Sequence, residues 1–277
     1  LSDSGRDFGG YNLGAGSWDT EVGVLASAVA DAFVTQAALR NIPIDSIDVV
    51  FTSRPDAPSV EKERKVAYPR NLAYVAYIDS PASAAELEAL RKTVDETSPV
   101  LALVKEAQPI EHGKVFYTQS PAARDPNLPP GLRDFLVEKR AAILRRAEAA
   151  KAGKTSEPYS LRAHARVEPA TGIRATRTGE GNFLLLHDSA SDLLGYGIAP
   201  TVEEHQLGVL GTCLTHIFEI QAATRQVVLD SLEVRVEGKL IPATATAPAR
   251  YRDVQYSVHI ESPASREDID GLRTAVE

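Results

Sequence analysis

Two long segments of the chain repeat the same order of apolar and polar positions. Residues 25–51 align with residues 210–236 at a constant offset of 185, with nine identities in 27 positions. Residues 71–95 align with residues 253–277 at an offset of 182, with nine identities in 25 positions and a shared SPAS. Because similar segments at a fixed spacing are typical of a repeated structural unit, the pattern predicts a duplication.

Each copy predicts the element order helix, strand, strand, helix. An apolar stretch of helical length leads into a strand that begins at DSI or DSL, and a charged loop follows. The alternating sequences LAYVAYI and VQYSVHI then predict a second strand. Ser83 and Ser265 are each followed three residues later by an acidic residue, Glu86 or Asp268, so each predicts the capped start of a second helix.

The second copy is preceded by three short stretches bounded by turn residues. They predict strands over residues 160–167, 172–178 and 182–187. The first copy has no such stretch ahead of it, so either those strands are missing from this sequence or the first unit is shorter.

A charged segment with apolar residues at helical spacing separates the copies. This segment, residues 131–152, predicts an amphipathic linker helix that ends at Gly153. We therefore expect a first repeat over residues 1–118, a linker over residues 119–157 and a second repeat over residues 158–277, in the α+β class.

Composition narrows the function classes. The chain has 277 residues, a formal net charge of −8 and 43% apolar residues, which is typical of an acidic globular protein. Its basic residues are scattered, so we expect no nucleic-acid partner. We read no apolar run long enough to span a bilayer and no signal peptide, and expect no membrane association and a cytoplasmic location.

The apolar helix of the second copy carries the single cysteine of the chain, Cys213. Apolar residues cover most of this helix, so we expect it to be buried. A free cysteine there is a small hydrophobe unless its surroundings lower the thiol pKa. His216 lies one turn later, where it either influences the thiol or is only packed nearby. No metal site is expected, because His205 lies about 12 Å from Cys213 along the helix.

The sequence EEHQLGVLGTCLT, followed by a long helix and LDSLEVRVEG, resembles the family of osmotically induced protein C and organic hydroperoxide resistance proteins (OsmC/Ohr). The upstream sequence RTGEGNFLLLHDSASDLLGYGIAPT resembles it too. The resemblance covers residues 159–277 well and residues 8–117 more weakly. It implies an OsmC-like fold, with antiparallel sheets wrapped around long buried central helices. It also implies that the two repeats form a pseudo-dimer within the chain, with room for a further homo-oligomer.

The resemblance implies a thiol peroxidase that reduces organic hydroperoxides through Cys213, without a cofactor or metal and with an external thiol as reductant. In the family an acidic residue at the helix start holds an arginine of the first hairpin near the thiol. Here Glu203 and Glu204 lie ten and nine residues before Cys213. Glu203 is about 15 Å away along a straight helix, so it would act through the arginine, across a bend or on a site shared with the other half. The arginine candidates, of which Arg174 is preferred, are Arg162, Arg166, Arg174 and Arg177.

The chain also departs from the family. Ala28 stands opposite Cys213 in the first copy, and Trp18 and Asp19 stand opposite the two glutamates. Ser98 occupies the position of the family's second, resolving cysteine. Three interpretations remain open: a thiol peroxidase with one site, a catalytically retired protein that binds small ligands or partners, and a different chemistry that uses Cys213 with His216.

Overall fold

The computed structural model describes residues 2–5, 9–53, 72–105, 110–154, 161–241 and 250–277. Helices and strands both contribute, which confirms the predicted α+β class. The first residue of the predicted strand at 160, the charged loop after the first strand and the boundary between residues 157 and 158 lie outside the described residues.

The chain forms six α-helices and eight strands in the described residues. The elements of its first part are α1 (Ser17–Leu39), β1 (Ser46–Ser53), β2 (Leu72–Asp79), α2 (Ala84–Thr97), α3 (Pro99–Lys105), β3 (Ile110–Gln119) and α4 (Leu132–Lys151). Those of its second part are β4 (Leu161–Val167), β5 (Arg174–Thr178), β6 (Phe183–His187), α5 (Val202–Arg225), β7 (Ser231–Ile241), β8 (Arg250–Ser262) and α6 (Arg266–Val276). The predicted order of helix, strand, strand and helix is therefore present in both parts.

Capping residues begin two equivalent helices as predicted. The Ser83 hydroxyl accepts a hydrogen bond from the Glu86 amide, and the Glu86 carboxylate accepts one from the Ser83 amide. Ser265 and Asp268 make the same two bonds at the start of α6. These reciprocal bonds satisfy amides that would otherwise have no partner at a helix start.

Each of the two sheets contains strands from both parts of the chain. The larger sheet has the order β2-β1-β4-β5-β6 and is antiparallel throughout. The smaller sheet has the order β3-β8-β7, in which β7 runs antiparallel to β8. The expectation of purely antiparallel sheets is wrong at β3, which pairs with β8 in parallel. A parallel pair needs a long crossover, and here most of the second part of the chain supplies it.

The larger sheet seals α1 into the core. Thirteen residues of α1 are buried, and the helix packs against strands β1, β4, β5 and β6. A Cβ atom added at Gly23 would lie 2.6 Å from Cδ1 of Leu185 on β6. The absence of a side chain at Gly23 is therefore what lets β6 approach the helix.

The second central helix is less covered than the sequence predicted. Only five residues of α5 are buried, and Cys213 and its apolar neighbours are half-buried. Of the strands, α5 packs mainly on β7, which is the last described strand of the smaller sheet. The expectation of a fully buried α5 is wrong because an apolar helix is buried only as far as its sheet extends.

A second expectation, that no apolar run reaches membrane-spanning length, also needs correction. By length and composition alone, α1 could cross a membrane. In this fold, however, its apolar side chains face the larger sheet and the neighbouring helices. The core helix of a soluble protein has the same composition, so this helix is compatible with a soluble protein.

Substitutions at Gly23 of α1 and Gly208 of α5, which are 185 residues apart, test whether α1 is more tightly packed than α5. We expect Gly23→Ala to destabilise the protein by about 1–3 kcal/mol, because the new methyl group overpacks against Leu185. Gly208→Ala meets only the His205 ring, at 3.7 Å, and should stabilise the protein by up to about 1 kcal/mol through helix propensity. Urea denaturation of both variants measures this, and equal destabilisation would contradict the described packing.

Candidate functional site

The two central helices contact each other through equivalent positions. The Gln206 amide donates a hydrogen bond to the Glu21 carboxylate at 2.9 Å, and these residues are separated by the repeat offset of 185. Contact between a residue and its own equivalent is what a two-fold axis produces at an interface. The Glu21 and Gln206 contact therefore lies where an approximate two-fold axis between α1 and α5 would pass.

Cys213 lies two turns after Gln206 on the same face of α5. Its thiol is half-buried, and its pKa is raised, first by burial and second by the negative charge of Glu21. Both causes disfavour the thiolate, which is the nucleophilic form of cysteine. At neutral pH Cys213 is therefore a protonated thiol.

His216, one turn further along α5, belongs to a polar cluster with the linker helix. Its Nδ1 lies 2.8 Å from the Ser4 hydroxyl and 3.4 Å from Nζ of Lys139. The Lys139 side chain is fully buried and donates to Glu219 at 2.8 Å. Burial and the charge of Lys139 lower the His216 pKa to about 4, so His216 is neutral near pH 7 and a weak base.

Arg174, the preferred supporting arginine, is bound to α1. Its guanidinium forms an ion pair with Asp31 at 2.7 Å and donates to the Ser189 hydroxyl and the Asp188 carbonyl. The side chain is almost completely buried. The charge of Arg174 is therefore neutralised by Asp31, which lies on α1.

The two glutamates at the start of α5 differ in their exposure and in their contacts. Glu204 is exposed and caps the helix with Thr201. The pKa of Glu203 is raised, chiefly by burial and further by Asp31, while Arg174 lowers it. Glu203 therefore belongs to the group around Arg174. Since α5 is one continuous helix, this group lies about 15 Å along its axis from Cys213.

The structure thus divides the expected site residues into two groups. Cys213 and His216 lie on the middle of α5, whereas Arg174 and Glu203 lie around Asp31. Glu204 belongs to neither. Both Asp31 and Arg174 influence the Glu203 carboxyl, and the way in which Glu203 would act on Cys213 stays a prediction.

Sequence reasoning missed three charged residues that shape these groups: Glu21, Asp31 and Lys139. The first two interrupt the otherwise apolar stretch of α1, and a charge inside such a stretch was the available signal. Lys139 had no comparable signal, because the linker helix carries many charges and only the tertiary packing buries this one.

Two further histidines, His187 and His205, are in contact with each other. Nε2 of His187 lies 2.8 Å from Nδ1 of His205, beside the Arg174 group. Across the described ranges, no group of three or more His, Cys, Asp or Glu side chains is arranged to hold a metal ion.

Comparisons with known proteins give weak similarities. No family model and no curated protein matches the chain. One similar solved structure is a putative osmotic stress induced and detoxification response protein from Psychrobacter arcticus, with 14% identity, 39% of this chain and 77% of that chain covered, and a TM-score of 0.35. Another is an organic hydroperoxide resistance protein OsmC from Legionella pneumophila. Its identity is 15%, the match covers 44% of this chain and 84% of that chain, and the TM-score is 0.34. At these TM-scores, no residue role is transferred from either protein.

The substitution Glu21→Gln tests the electrostatics at the thiol. Removing the negative charge should lower the Cys213 pKa, while glutamine retains a partner for Gln206. The pH dependence of Cys213 alkylation by iodoacetamide measures the pKa. Glu138→Gln, on the exposed face of α4, is the matched control and should leave the pKa unchanged. An unchanged or higher pKa in Glu21→Gln would contradict the assignment.

The substitution Lys139→Met tests the polar cluster around His216. Without the neighbouring positive charge, the His216 pKa should rise from about 4 but remain below its ordinary value near 6.5, because burial persists. Histidine proton shifts in an NMR titration report this change. Arg145→Met removes an exposed cation from the same helix and should have no effect, and a fall in the His216 pKa in Lys139→Met would refute the cluster.

Proposed function

We propose that this chain is an OsmC-like two-repeat protein whose halves pack as a pseudo-dimer, and that it reduces organic hydroperoxides through Cys213. The observation that carries the proposal is the position of the thiol. Cys213 is the only cysteine of the chain, and it lies half-buried beside the contact between α1 and α5. A half-buried thiol between apolar helices suits an alkyl or lipid hydroperoxide better than hydrogen peroxide.

Three structural observations support the pseudo-dimer. Glu21 and Gln206 meet at equivalent positions. Strand β1 of the first repeat pairs with β4 of the second, so the repeats share a sheet. Finally, two loops have equivalent hydrogen bonds. The Asp3 carboxylate accepts from the amides of Ser4, Tyr11 and Leu13. The Asp188 carboxylate accepts from the amides 185 residues after these donors, those of Ser189, Tyr196 and Ile198.

The proposed reaction consumes one hydroperoxide and two equivalents of external thiol. The Cys213 thiolate attacks the terminal peroxide oxygen, the O–O bond breaks, and the alkoxide takes up a proton and leaves as an alcohol. Cys213 is then a sulfenic acid. A first external thiol converts it to a mixed disulfide with release of water, and a second restores the Cys213 thiol and forms the external disulfide.

The raised thiol pKa sets the pH dependence of the first step. Because only the thiolate reacts, the rate constant follows the thiolate fraction. That fraction rises about tenfold for each pH unit below the thiol pKa, and this pKa lies above the ordinary value of 9.0. The protein should therefore be slow at pH 7 and faster in alkaline solution.

A second candidate function rests on a different observation. Asp31 neutralises Arg174, and burial and Glu21 are the causes that act on the Cys213 pKa. Among the described residues, no cation contributes to the shift of the Cys213 pKa, and such a thiol fits a catalytically retired protein that binds small ligands or partners. The same experiment separates the two candidates.

The experiment measures sulfenic acid formation with cumene hydroperoxide and a dimedone-type trap from pH 6.5 to 9.5, with Cys213→Ser as the blank. The peroxidase proposal predicts trapping that rises about tenfold per pH unit from pH 7 to 9 and is absent in Cys213→Ser. Absence of trapping at every pH, in a protein that remains folded, favours the retired protein. A rate independent of pH contradicts the raised pKa.

A further inference from the structure

Four polar atoms between α1 and the larger sheet have no hydrogen-bond partner in the part of the chain that the structure describes. Three belong to fully buried side chains, and the fourth belongs to Arg174, which is 2% exposed. The four atoms are Ser27 Oγ on α1, Arg174 Nε and Thr176 Oγ1 on β5, and His187 Nδ1 on β6. Because a buried polar atom costs free energy unless it is bonded, each of the four requires a partner.

Helix α1 runs antiparallel to β5, and this places Ser27 opposite Thr176. A Cβ atom added at Gly23 would lie 3.5 Å from the side chain of the last residue of β5. Eight residues later on α1, Asp31 is paired with the first residue of β5, Arg174. Ser27 and Thr176 are midway between these two contacts. Since four helix residues advance about 6 Å and two strand residues about 6.6 Å, the two hydroxyl groups lie at matching positions along the elements.

Arg174 and His187 border the same site from the sheet. They are directly opposite each other in the pairing of β5 with β6, and both side chains are buried. The Nη atoms of Arg174 are held by Asp31, Ser189 and backbone carbonyls, so Nε is the nitrogen that remains. Nε2 of His187 lies 2.8 Å from Nδ1 of His205, so Nδ1 of His187 remains. Each residue is therefore fixed by its other contacts and has one nitrogen left for the site.

The charges around the site favour a neutral ligand. Within the described ranges, Arg174 is the one cation that acts on the pKa of Asp31 or of Glu203, so two carboxyls already share its positive charge. Burial, and then His205 and Arg174, lower the pKa of His187 to about 3, so this ring is neutral near pH 7. An anion in the site would therefore lack a counter-charge, and a cation would be repelled by Arg174.

The four atoms also determine what the ligand donates and accepts. Nε of Arg174 can only donate, so the ligand must accept a hydrogen bond there. The two hydroxyl groups donate or accept, and Nδ1 of His187 does one or the other according to its tautomer. A water molecule accepts two hydrogen bonds and donates two, and buried waters typically bond about three polar groups that would otherwise have no partner. Water therefore matches these atoms without adding a charge.

We propose that α1 and the larger sheet enclose a binding site for one resident water molecule. Its partners are Ser27 Oγ, Thr176 Oγ1, Arg174 Nε and His187 Nδ1. Through this water the last nitrogen of Arg174 gains an acceptor, and helix α1 is bonded to strands β5 and β6. His187 extends the chain of hydrogen bonds to His205 at the start of α5. The water is thus the ligand that fixes the guanidinium relative to both central helices.

The substitution Thr176→Val tests for the water, because valine has nearly the shape of threonine without the hydroxyl group. With water in the site, loss of a hydrogen bond should raise the unfolding equilibrium constant about tenfold in urea denaturation. Without water, the substitution removes an unbonded buried hydroxyl and should leave the constant unchanged or lower it. Thr178→Val, on the same face of β5, is the matched control. Its hydroxyl donates to the Asp19 carbonyl at 2.6 Å, so this variant should raise the constant in either case.

A crystal structure of the full chain locates the ligand directly. We expect a water oxygen within about 2.6–3.2 Å of Arg174 Nε and of at least two of the other three atoms. A second crystal, soaked in bromide, should show no anomalous peak at this place, because the site has no counter-charge for an anion.

Three results would overturn the proposal. One is an unfolding constant that is unchanged or lower in Thr176→Val while that of Thr178→Val is raised. The second is a crystal structure in which these side chains are ordered and no water lies within hydrogen-bond distance of Arg174 Nε. The third is a bromide peak in the site, which would assign it to an anion.

Discussion

The packing of α1 against α5 is the contact on which the rest of the structure depends. It places Glu21 beside Gln206 and brings a carboxylate of one half close to the thiol of the other. Both sheets then pack against this pair of helices, but they differ in width. In the part of the chain that the structure describes, a five-stranded sheet seals α1, whereas a three-stranded sheet leaves α5 half-covered.

The two sides of the molecule also differ in the charged groups that they contain. The side of the molecule that the larger sheet seals contains the ion pair between Arg174 of β5 and Asp31 of α1, where burial makes the partner carboxylate necessary. The open side, around α5, contains Cys213, whose side chain is half-buried. Its fully buried cation, Lys139, is paired with Glu219 and oriented toward His216. The two sides therefore each contain a buried cation, Arg174 or Lys139, that is paired with a carboxylate.

Local features of this fold could be predicted from sequence, and long-range ones could not. Apolar periodicity and the Ser83 and Ser265 caps located helices and strands because these depend on neighbouring residues. The sequences of α1 and α5 are both apolar, so they gave no sign that only α1 is sealed. The pairing of Arg174 with Asp31 joins residues more than 140 positions apart, and only the fold brings them together.

Burial and Glu21 raise the pKa of Cys213 above its ordinary value of 9.0, and the chemistry proposed for the thiol depends on this shift. Thiolate absorbance near 240 nm, recorded as the difference between the wild-type protein and Cys213→Ser, measures the thiolate fraction directly. We expect no thiolate absorbance at pH 7, and we expect the band to appear with a midpoint above the ordinary thiol pKa of 9.0. A thiolate band whose midpoint lies at or below pH 9.0, or one already present at pH 7, would contradict the raised pKa.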